Sequence, residues 1–219
     1  MADAERFFIP AQPIEVSTEV KRSRFIAHIA HGQSAEQAFH IIDQAKKRYP
    51  DARHHCWAFI ACSPFSSSAV RFSDAGEPSG TAGKPILNVL QHSHYGEIVC
   101  VVSRYFGGIK LGAGGLVRAY SNSAQAALEQ LSVQEKIPLS QVTIKLPYPF
   151  EASVRHYLDS VDAAINNVSY EEQVIFQLSV ARDLQAQMLL QTSNLCKGNV
   201  TVMTTEPDSD RMKTNHLES

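Results

Sequence analysis

Residues 98–116 of this 219-residue chain read IVCVVSRYFGGIKLGAGGL. The apolar run 98–102 has no polar interruption, which predicts a strand covered on both faces. From Leu116 to residue 131, apolar side chains recur at helical spacing and predict a helix. A glycine-rich loop joins the two, so this segment predicts a strand–loop–helix unit at the centre of a mixed α and β fold.

Nine of the eleven glycines of the chain lie between Gly76 and Gly115. Part of this region, residues 73–85, reads SDAGEPSGTAGKP. Glycine contributes no side chain, so its concentration indicates unusual backbone angles or the close approach of a partner. A glycine loop before a helix lets an anion reach the first N–H groups and the positive end of the helix dipole. The alternative is that these glycines serve tight turns and close helix packing; their spacing matches neither the Walker nor the Rossmann signature.

The composition places limits on the class of protein. Hydrophobic residues make up 44% of the chain, enough for well-formed cores. No apolar run approaches the roughly 18 residues that span a bilayer, and the first residues lack the apolar segment of a signal peptide. The four cysteines form no CxxC pair, so we expect them to be buried and reduced. We therefore expect a cytoplasmic protein with no membrane association, no metal and no cofactor.

Charge is distributed unevenly along the chain, although the net charge is only −2. Residues 53–120 carry six Lys or Arg against three Asp or Glu, a local net charge of +3. Residues 137–206 carry four against seven, a local net charge of −3. A polyanion is therefore expected to contact the glycine-rich half of the chain.

Local patterns divide the chain into two domains and a tail. The first domain covers residues 1–134 and contains both glycine-rich segments. The second covers residues 137–206, where the predicted element order βαββαβ is that of a ferredoxin-like unit. Residues 207–219 are polar, and we predict that this tail is disordered.

Two helix starts are marked by capping residues. Ser34 and Gln37 form a capping box at the start of a helix that Pro50 ends. Asp183 is the expected cap of a second helix over residues 184–195. These signals are local, so they predict helix positions without any knowledge of the fold.

Cationic, aromatic and glycine positions of the first domain are candidates for contact with an anion or a nucleic acid. They are Lys21, Arg22, Arg24, Arg53, His54, His55, Lys84, Arg104, Tyr105, Gly107, Gly108, Lys110, Gly112, Gly114, Gly115 and Arg118. Lys84 and Lys110 stand near predicted helix starts, where their charges add to the helix dipole. His54 and His55 point to opposite faces of a predicted strand, so they do not readily bind one metal ion together.

The loop of residues 73–85 holds candidates for a structural or partner-binding role. They are Asp74, Gly76, Glu77, Pro78, Gly80, Thr81 and Gly83. Thr81 is the expected cap of the helix that follows. The two acids either hold a metal or a partner, or they serve the loop itself. In that second case Asp74 forms an Asx turn and Glu77 pairs with Lys84 or Arg104. No nucleophile is visibly paired with a base, so we name no catalytic residue.

Four segments together resemble the YigZ/IMPACT family. They are KRSRF at 21–25, ARHHC at 52–56, FSDAGEPSGTAGKP at 72–85 and VSRYFGGIKLGAGGLVRAY at 102–120. The resemblance implies that the first domain is an α/β sandwich like the second domain of ribosomal protein S five, with a left-handed βαβ crossover. It implies that the second domain is similar to the ferredoxin-like C-terminal domains of elongation factor G. The expected fold class of the whole chain is α+β with two domains.

The resemblance also implies a function in translation. Both domain comparisons point to RNA or the ribosome, and eukaryotic members of the family inhibit activation of a translation-stress kinase. We therefore expect a non-catalytic cytoplasmic protein that binds RNA or ribosome-associated factors and regulates translational initiation or a stress response.

Two alternatives remain open. One is a nucleotide- or phosphate-binding enzyme with a GHMP-kinase-like fold, in which Asp74 or Glu77 would hold Mg²⁺ and Lys84 would contact phosphates. The other is a protein-interaction module, in which the loops of the first domain present a docking face to a protein partner.

Overall fold

The computed structural model of the protein describes residues 6–204 and 210–213. The fold class is α+β, as predicted, with five α-helices and two antiparallel sheets among the described residues. The chain forms two compact units, Phe7–Glu135 and Lys136–Lys213. The break lies between Glu135 and Lys136, and the predicted domains end at 134 and begin at 137.

The first unit contains a five-stranded sheet and three helices. Its elements are β1 (Phe7–Pro10), β2 (Ile14–Val20), β3 (Ser23–His31), α1 (Ala35–Arg48), β4 (His54–Ile60), β5 (Val70–Ser73), α2 (Gly83–Ser93), β6 (Ile98–Tyr105) and α3 (Ala113–Leu128). The five strands of this sheet have the order β2-β3-β6-β4-β5, with antiparallel neighbours throughout, and β1 is not one of them. Because β3 and β4 both pair with β6, α1 connects two parallel strands across the central strand.

The strand β6 is the centre of this unit. Its residues from Ile98 to Arg104 are all buried, which confirms the prediction of a strand covered on both faces. On one face, Cys100 and Val102 belong to a core that includes residues of α2 and α3. On the other, Val99 and Val101 pack with residues of α1. This burial explains the uninterrupted apolar run of the sequence.

The predicted cap of the first helix by Ser34 is confirmed. The Ser34 hydroxyl accepts a hydrogen bond from the Gln37 backbone N–H (3.2 Å), and α1 ends with Tyr49 as its C-cap residue, before Pro50. The Gln37 side chain accepts from the backbone N–H of Gln33 (3.1 Å), one residue before the N-cap residue to which a capping box would bond. The helix start is therefore satisfied by short-range contacts that differ from the capping box in this one bond.

The second unit has the predicted order βαββαβ, followed by one further strand. Its elements are β7 (Val133–Leu146), a short 3₁₀ turn (Tyr148–Phe150), α4 (Glu151–Ser160), β8 (Ala164–Tyr170), β9 (Val174–Ala181), α5 (Gln185–Leu195), β10 (Thr201–Thr204) and β11 (Asp210–Lys213). The strands β8 and β10 lie on opposite sides of the pair β7–β9, giving the order β10-β7-β9-β8.

Two expectations for this unit need correction. Asp183 does not cap α5, whose N-cap residue is Leu184; its carboxylate instead accepts from Arg6 Nε (3.0 Å). The predicted disordered tail, 207–219, lies partly outside the described residues, and its residues 210–213 form β11, which pairs with β7. Neither contact is local in sequence, so neither could be read from neighbouring residues.

Candidate anion-binding cleft

A cleft of about 420 Å³ opens in the first unit, beside the end of β6. Its polar lining comes from three segments: the start of β4, the 73–85 loop, and the end of β6 with the loop that follows it. The sheet register brings the first and the third together, because His54 of β4 pairs with Arg104 of β6. The charged and titratable side chains that line it are Arg53, His54, Glu77, Arg104 and Lys110. The His54 ring donates through Nδ1 to the Ala75 carbonyl (2.9 Å), which ties β4 to the 73–85 loop.

The apolar part of the lining includes one strongly exposed aromatic ring. Phe106 is 47% exposed, and the Arg104 guanidinium carbon lies 5.7 Å from its ring centroid. Leu111, Ala113 and Leu116 complete this side of the cleft. The cleft therefore offers one aromatic ring beside several cations, the combination on which a nucleobase stacks in single-strand binding proteins.

Sequence reasoning selected the neighbouring aromatic residue for binding. Tyr105 is not part of the cleft lining; its ring lies under Arg24, with the guanidinium carbon 4.5 Å from the centroid. Successive side chains of a strand point to opposite faces, and Arg104 lies on the cleft face, so Tyr105 faces away from it. Phe106 follows the end of β6, and the alternation of the strand was the signal that could have separated the two rings.

A buried network supports Arg104. Arg104 Nη1 donates to Glu77 Oε1 (2.5 Å), and the Tyr120 hydroxyl donates to the same oxygen (2.8 Å). The Cys56 sulfur lies 2.9 Å from the Asp74 carbonyl oxygen and 3.3 Å from the Tyr120 hydroxyl oxygen, and its one S–H can donate to either. Of the two ion-pair partners proposed for Glu77, Arg104 is therefore the one that pairs with it. The network holds the guanidinium in a fixed position at the cleft.

Burial also determines the chemistry of the network. It raises the pKa of Tyr120 and raises the pKa of the Cys56 thiol to about 12, because a charged form would lose its solvation. Cys56 is thus a protonated thiol at neutral pH and has little nucleophilic character. The network acts as a rigid support and offers no activated nucleophile.

The N-terminus of α3 faces this cleft and has no side-chain cap among the described residues. Its N-cap residue, Gly112, has φ +72°, a left-handed conformation that favours glycine. The first N–H to bond back is that of Leu116, to the Gly112 carbonyl (2.9 Å). The N–H groups of the preceding turn have no acceptor within the helix and carry the positive end of its dipole. Lys110 stands just before them.

The N-terminus of α2 is already occupied by an internal anion. Asp74 accepts from the backbone N–H of Gly80 (2.8 Å) through Oδ2, and from those of Ala82 (3.0 Å) and Gly83 (2.8 Å) through Oδ1. The predicted cap, Thr81, instead donates its hydroxyl to the Pro78 carbonyl (2.6 Å). The residue that caps α2 is therefore Asp74. Of the two helix starts that follow the glycine-rich segments, those of α2 and α3, only the start of α3 is free for an external anion within the described residues.

Lys84 lies at the closed helix start and is not part of the cleft lining. Its Nζ lies 5.8 Å from the ring centroid of Phe72. The kinase-like alternative needs Lys84 on phosphates and a carboxylate of Asp74 or Glu77 on Mg²⁺. Asp74 is bound to three N–H groups and Glu77 is buried against Arg104, so the structure removes the parts on which that alternative depended.

Gly107 shows that part of the glycine concentration serves packing. A Cβ placed there would lie 2.1 Å from the backbone carbonyl of Arg22, and its N–H donates to the Ser23 hydroxyl (3.1 Å). The expectation that this N–H is available to an anion is therefore wrong. Gly107 lets the loop lie against the β2–β3 hairpin, as the packing alternative proposed.

The predicted site residues fall into two groups. Those that line the cleft are Arg53, His54, Gly76, Glu77, Pro78, Arg104, Lys110 and Gly112. Those outside its lining are Lys21, Arg22, Arg24, His55, Asp74, Gly80, Thr81, Gly83, Lys84, Tyr105, Gly107, Gly108, Gly114, Gly115 and Arg118. The sequence did not single out Leu111, Ala113, Leu116 or the buried Tyr120 as site residues; Tyr105 and Phe106 were both candidates for stacking on bases, and the structure places Phe106 in the cleft.

His55 faces away from its neighbour His54, as the strand alternation predicted. Its Nδ1 forms a hydrogen bond with the Ser103 hydroxyl (2.8 Å), and burial lowers its pKa. Within residues 6–204 no group of three or more His, Cys, Asp or Glu side chains is arranged to hold a metal ion. In the same part of the chain no helix is long and apolar enough to cross a bilayer.

Comparison with known proteins supplies the family. The family model of the Impact N-terminal domain matches residues 21–128, which include the whole cleft. The chain is 39% identical to the IMPACT family member YigZ of Escherichia coli, over 92% of this chain and 99% of that protein. The chain belongs to the IMPACT family. A match of this extent covers the second unit of the chain as well as the first.

Other relatives extend the same picture. The IMPACT family member YvyE of Bacillus subtilis is 33% identical over 80% of this chain and 79% of its own length. A solved structure described as the crystal structure of an hypothetical protein has a TM-score of 0.65 and 38% identity, covering 93% of this chain and 99% of that one. That solved structure therefore has a fold similar to that of this chain over nearly the full length of both.

Proposed function

We propose that this protein is a non-catalytic IMPACT-family protein that binds RNA or ribosome-associated factors and modulates translation. The observation that carries the proposal is the cleft, where Arg53, Arg104 and Lys110 meet the uncapped start of α3. Cations beside free backbone N–H groups are the usual means of holding a phosphate. The exposed ring of Phe106 would add a stacking surface for a base.

The hairpin of β2 and β3 extends this basic surface. Its turn residues, Lys21 and Arg22, are exposed, and Gly107 packs against the backbone of Arg22. The hairpin turn thus adjoins the loop that carries Phe106 and Lys110. A nucleic acid bound at the cleft would meet further cations at the turn.

The expected domain resemblances agree with this proposal. An antiparallel sheet with helices on both faces is the architecture expected for a unit like the second domain of ribosomal protein S five. The order βαββαβ is the one expected for a unit like the C-terminal domains of elongation factor G. Both are fold analogies, and they favour the translation machinery as the place where a cytoplasmic protein of this family would act.

The proposal is tested by measuring RNA affinity against salt. A fluorescent single-stranded oligoribonucleotide of about 10 nucleotides is titrated with the protein from about 50 to 200 mM salt. Affinity is expected to fall steeply with salt. In the double variant Arg53→Gln/Lys110→Gln the slope of log K against log salt is expected to become shallower by about 1.4, at about 0.7 for each phosphate contact to a single strand.

A matched control comes from the opposite face of the sheet. Lys47 is exposed on α1, outside the cleft lining, and Lys47→Gln removes one cation without touching the cleft. The control is expected to bind like the natural protein. Binding that is insensitive to salt, or equal slopes for all three proteins, would show that the cleft does not contact phosphates. Partners captured from a lysate that survive ribonuclease treatment would favour a protein-interaction module instead.

A further inference from the structure

We propose that the cleft accepts a terminal phosphate monoester of a nucleotide, in preference to the internal phosphodiesters of an RNA strand. This rests on the proposed function and specifies the chemistry of the same site. A monoester is found at a phosphorylated RNA end and in a free nucleoside monophosphate. The ligand would place its phosphate at the start of α3 and its base against Phe106.

The charge of the cleft matches a dianion. Three cations, Arg53, Arg104 and Lys110, and one carboxylate, Glu77, line it and give a formal charge of +2 with His54 neutral. The helix start adds a further partial positive charge, about half an elementary charge. A phosphate monoester carries about −1.5 to −2 at neutral pH, whereas an internal diester carries −1. The monoester therefore neutralises the cleft more fully.

Arg104 has donor capacity that the protein does not use. The residue is only 7% exposed, and its Nη1 donates to Glu77. Within residues 6–204 its Nε is buried with no hydrogen-bond partner. A guanidinium has five N–H donors, so one carboxylate oxygen leaves most of them unmatched. Holding an incompletely bonded guanidinium beside a cleft is costly unless an anion binds there.

The size of the cleft favours one nucleotide. Small-molecule sites usually measure about 300–1,000 Å³, and this cleft, at about 420 Å³, lies at the small end of that range. It presents a single exposed ring, Phe106, which can stack on one base. A groove that follows a strand would be expected to repeat its cations and rings. A short cleft with one ring and a concentrated charge fits the end of a chain.

The test compares oligouridylates that differ only in their ends. The same RNA is prepared with a 5′-monophosphate, with a 3′-monophosphate and with hydroxyls at both ends, and uridine monophosphate is used as a competitor. At least one phosphorylated end is expected to raise affinity by about tenfold or more over the hydroxyl form, because a dianionic group accepts charge-assisted hydrogen bonds that a diester cannot match. Uridine monophosphate is expected to abolish that advantage.

Variants tie the effect to the cleft. The advantage of the phosphorylated end is expected to disappear in Arg53→Gln and in Lys110→Gln, both exposed side chains, and to persist in Lys47→Gln. Equal affinity for all three RNAs, with binding still dependent on salt and on the cleft, overturns the monoester while leaving the proposed function intact. If none of the RNAs binds, the RNA-binding part of the proposed function fails, and the monoester proposal fails with it.

Discussion

The turn of the β2–β3 hairpin gives the sharpest test of the basic surface, because its backbone is strained. Val20 pairs with Ser23, so the loop has two residues, Lys21 and Arg22. Both have positive φ, +49° and +64°, as a type I′ turn requires. Asn-Gly is the sequence that favours such a turn, whereas a lysine and an arginine each carry a steric cost. Two cations therefore occupy positions where backbone energetics favour other residues.

The size of the effect follows from these angles. A left-handed backbone conformation costs a residue with a side chain about 1–2 kcal/mol. Glycine avoids this cost, but it loses more conformational entropy on folding, which offsets about 0.5–1 kcal/mol of the gain. Replacing Lys21 by Asn and Arg22 by Gly should thus stabilise the first unit by about 1–2 kcal/mol. If both cations contact phosphates, the same change should reduce the salt slope of RNA binding by about 1.4.

A pair of variants separates the backbone from the charge. Lys21→Asn/Arg22→Gly removes both charges and relieves the strain, whereas Lys21→Gln/Arg22→Gln removes the charges and keeps it. Urea unfolding is followed by the fluorescence of Trp57, the single tryptophan of the chain, which lies in β4. RNA affinity is measured over the same salt range as for the cleft variants.

Both double variants are expected to show the same decrease in RNA affinity and in salt slope, and only the Asn-Gly variant is expected to gain stability. Such a result would mean that the turn retains cations at the expense of stability, which is common at functional positions. A Gln-Gln variant that binds RNA with unchanged affinity and slope would show that the turn cations do not contact phosphates. An Asn-Gly variant no more stable than the Gln-Gln variant would show that the turn backbone is not strained.

Three further predictions concern the buried groups of the first unit. Glu77→Ala leaves the buried Arg104 guanidinium unpaired and should cost about 3–5 kcal/mol in urea unfolding, whereas a loss below about 1 kcal/mol would contradict a buried ion pair. Cys56 and Cys100, whose pKa values burial raises to about 12, should resist maleimide at pH 8 in the folded protein and react in urea, as peptide mass spectrometry would show. Burial lowers the pKa of His55 below its unfolded value of 6.5, so the unfolded chain binds a proton before the folded protein does as the pH falls. Stability should therefore decrease as the pH drops below about 6.5. His55→Gln should make that decrease shallower.

Several elements could be predicted because their signals are local. The N-terminal cap of α1 involves Ser34 and Gln37, three positions apart, and the apolar run of β6 reports burial on both faces. The order βαββαβ followed from hydrophobic periodicity in the second unit. Periodicity and caps depend on neighbours within one or two turns, so the sequence contains all the information needed.

The cap of α2 could not be predicted from neighbouring residues. Thr81 stands in the expected position, but Asp74 reaches N–H groups six to nine residues further along and binds three of them. A carboxylate accepts charge-assisted bonds that are stronger than those of a hydroxyl. The choice between the two depended on how the loop folds back, which no spacing rule supplies. Because Asp74 occupies this helix start, the structure also gives no support to the predicted contact of Lys84 with phosphates.

By itself, the sequence determined the fold class, the position of the main elements and the half of the chain that is basic. Tertiary structure alone decided which of the candidates meet: Glu77 bonds Arg104 from 27 residues away and Tyr120 from 43. It also decided that Phe106 and not Tyr105 faces the cleft. The reason is physical: helix and strand signals come from neighbours, whereas a site is made by strand register, burial and loop closure between residues distant in sequence.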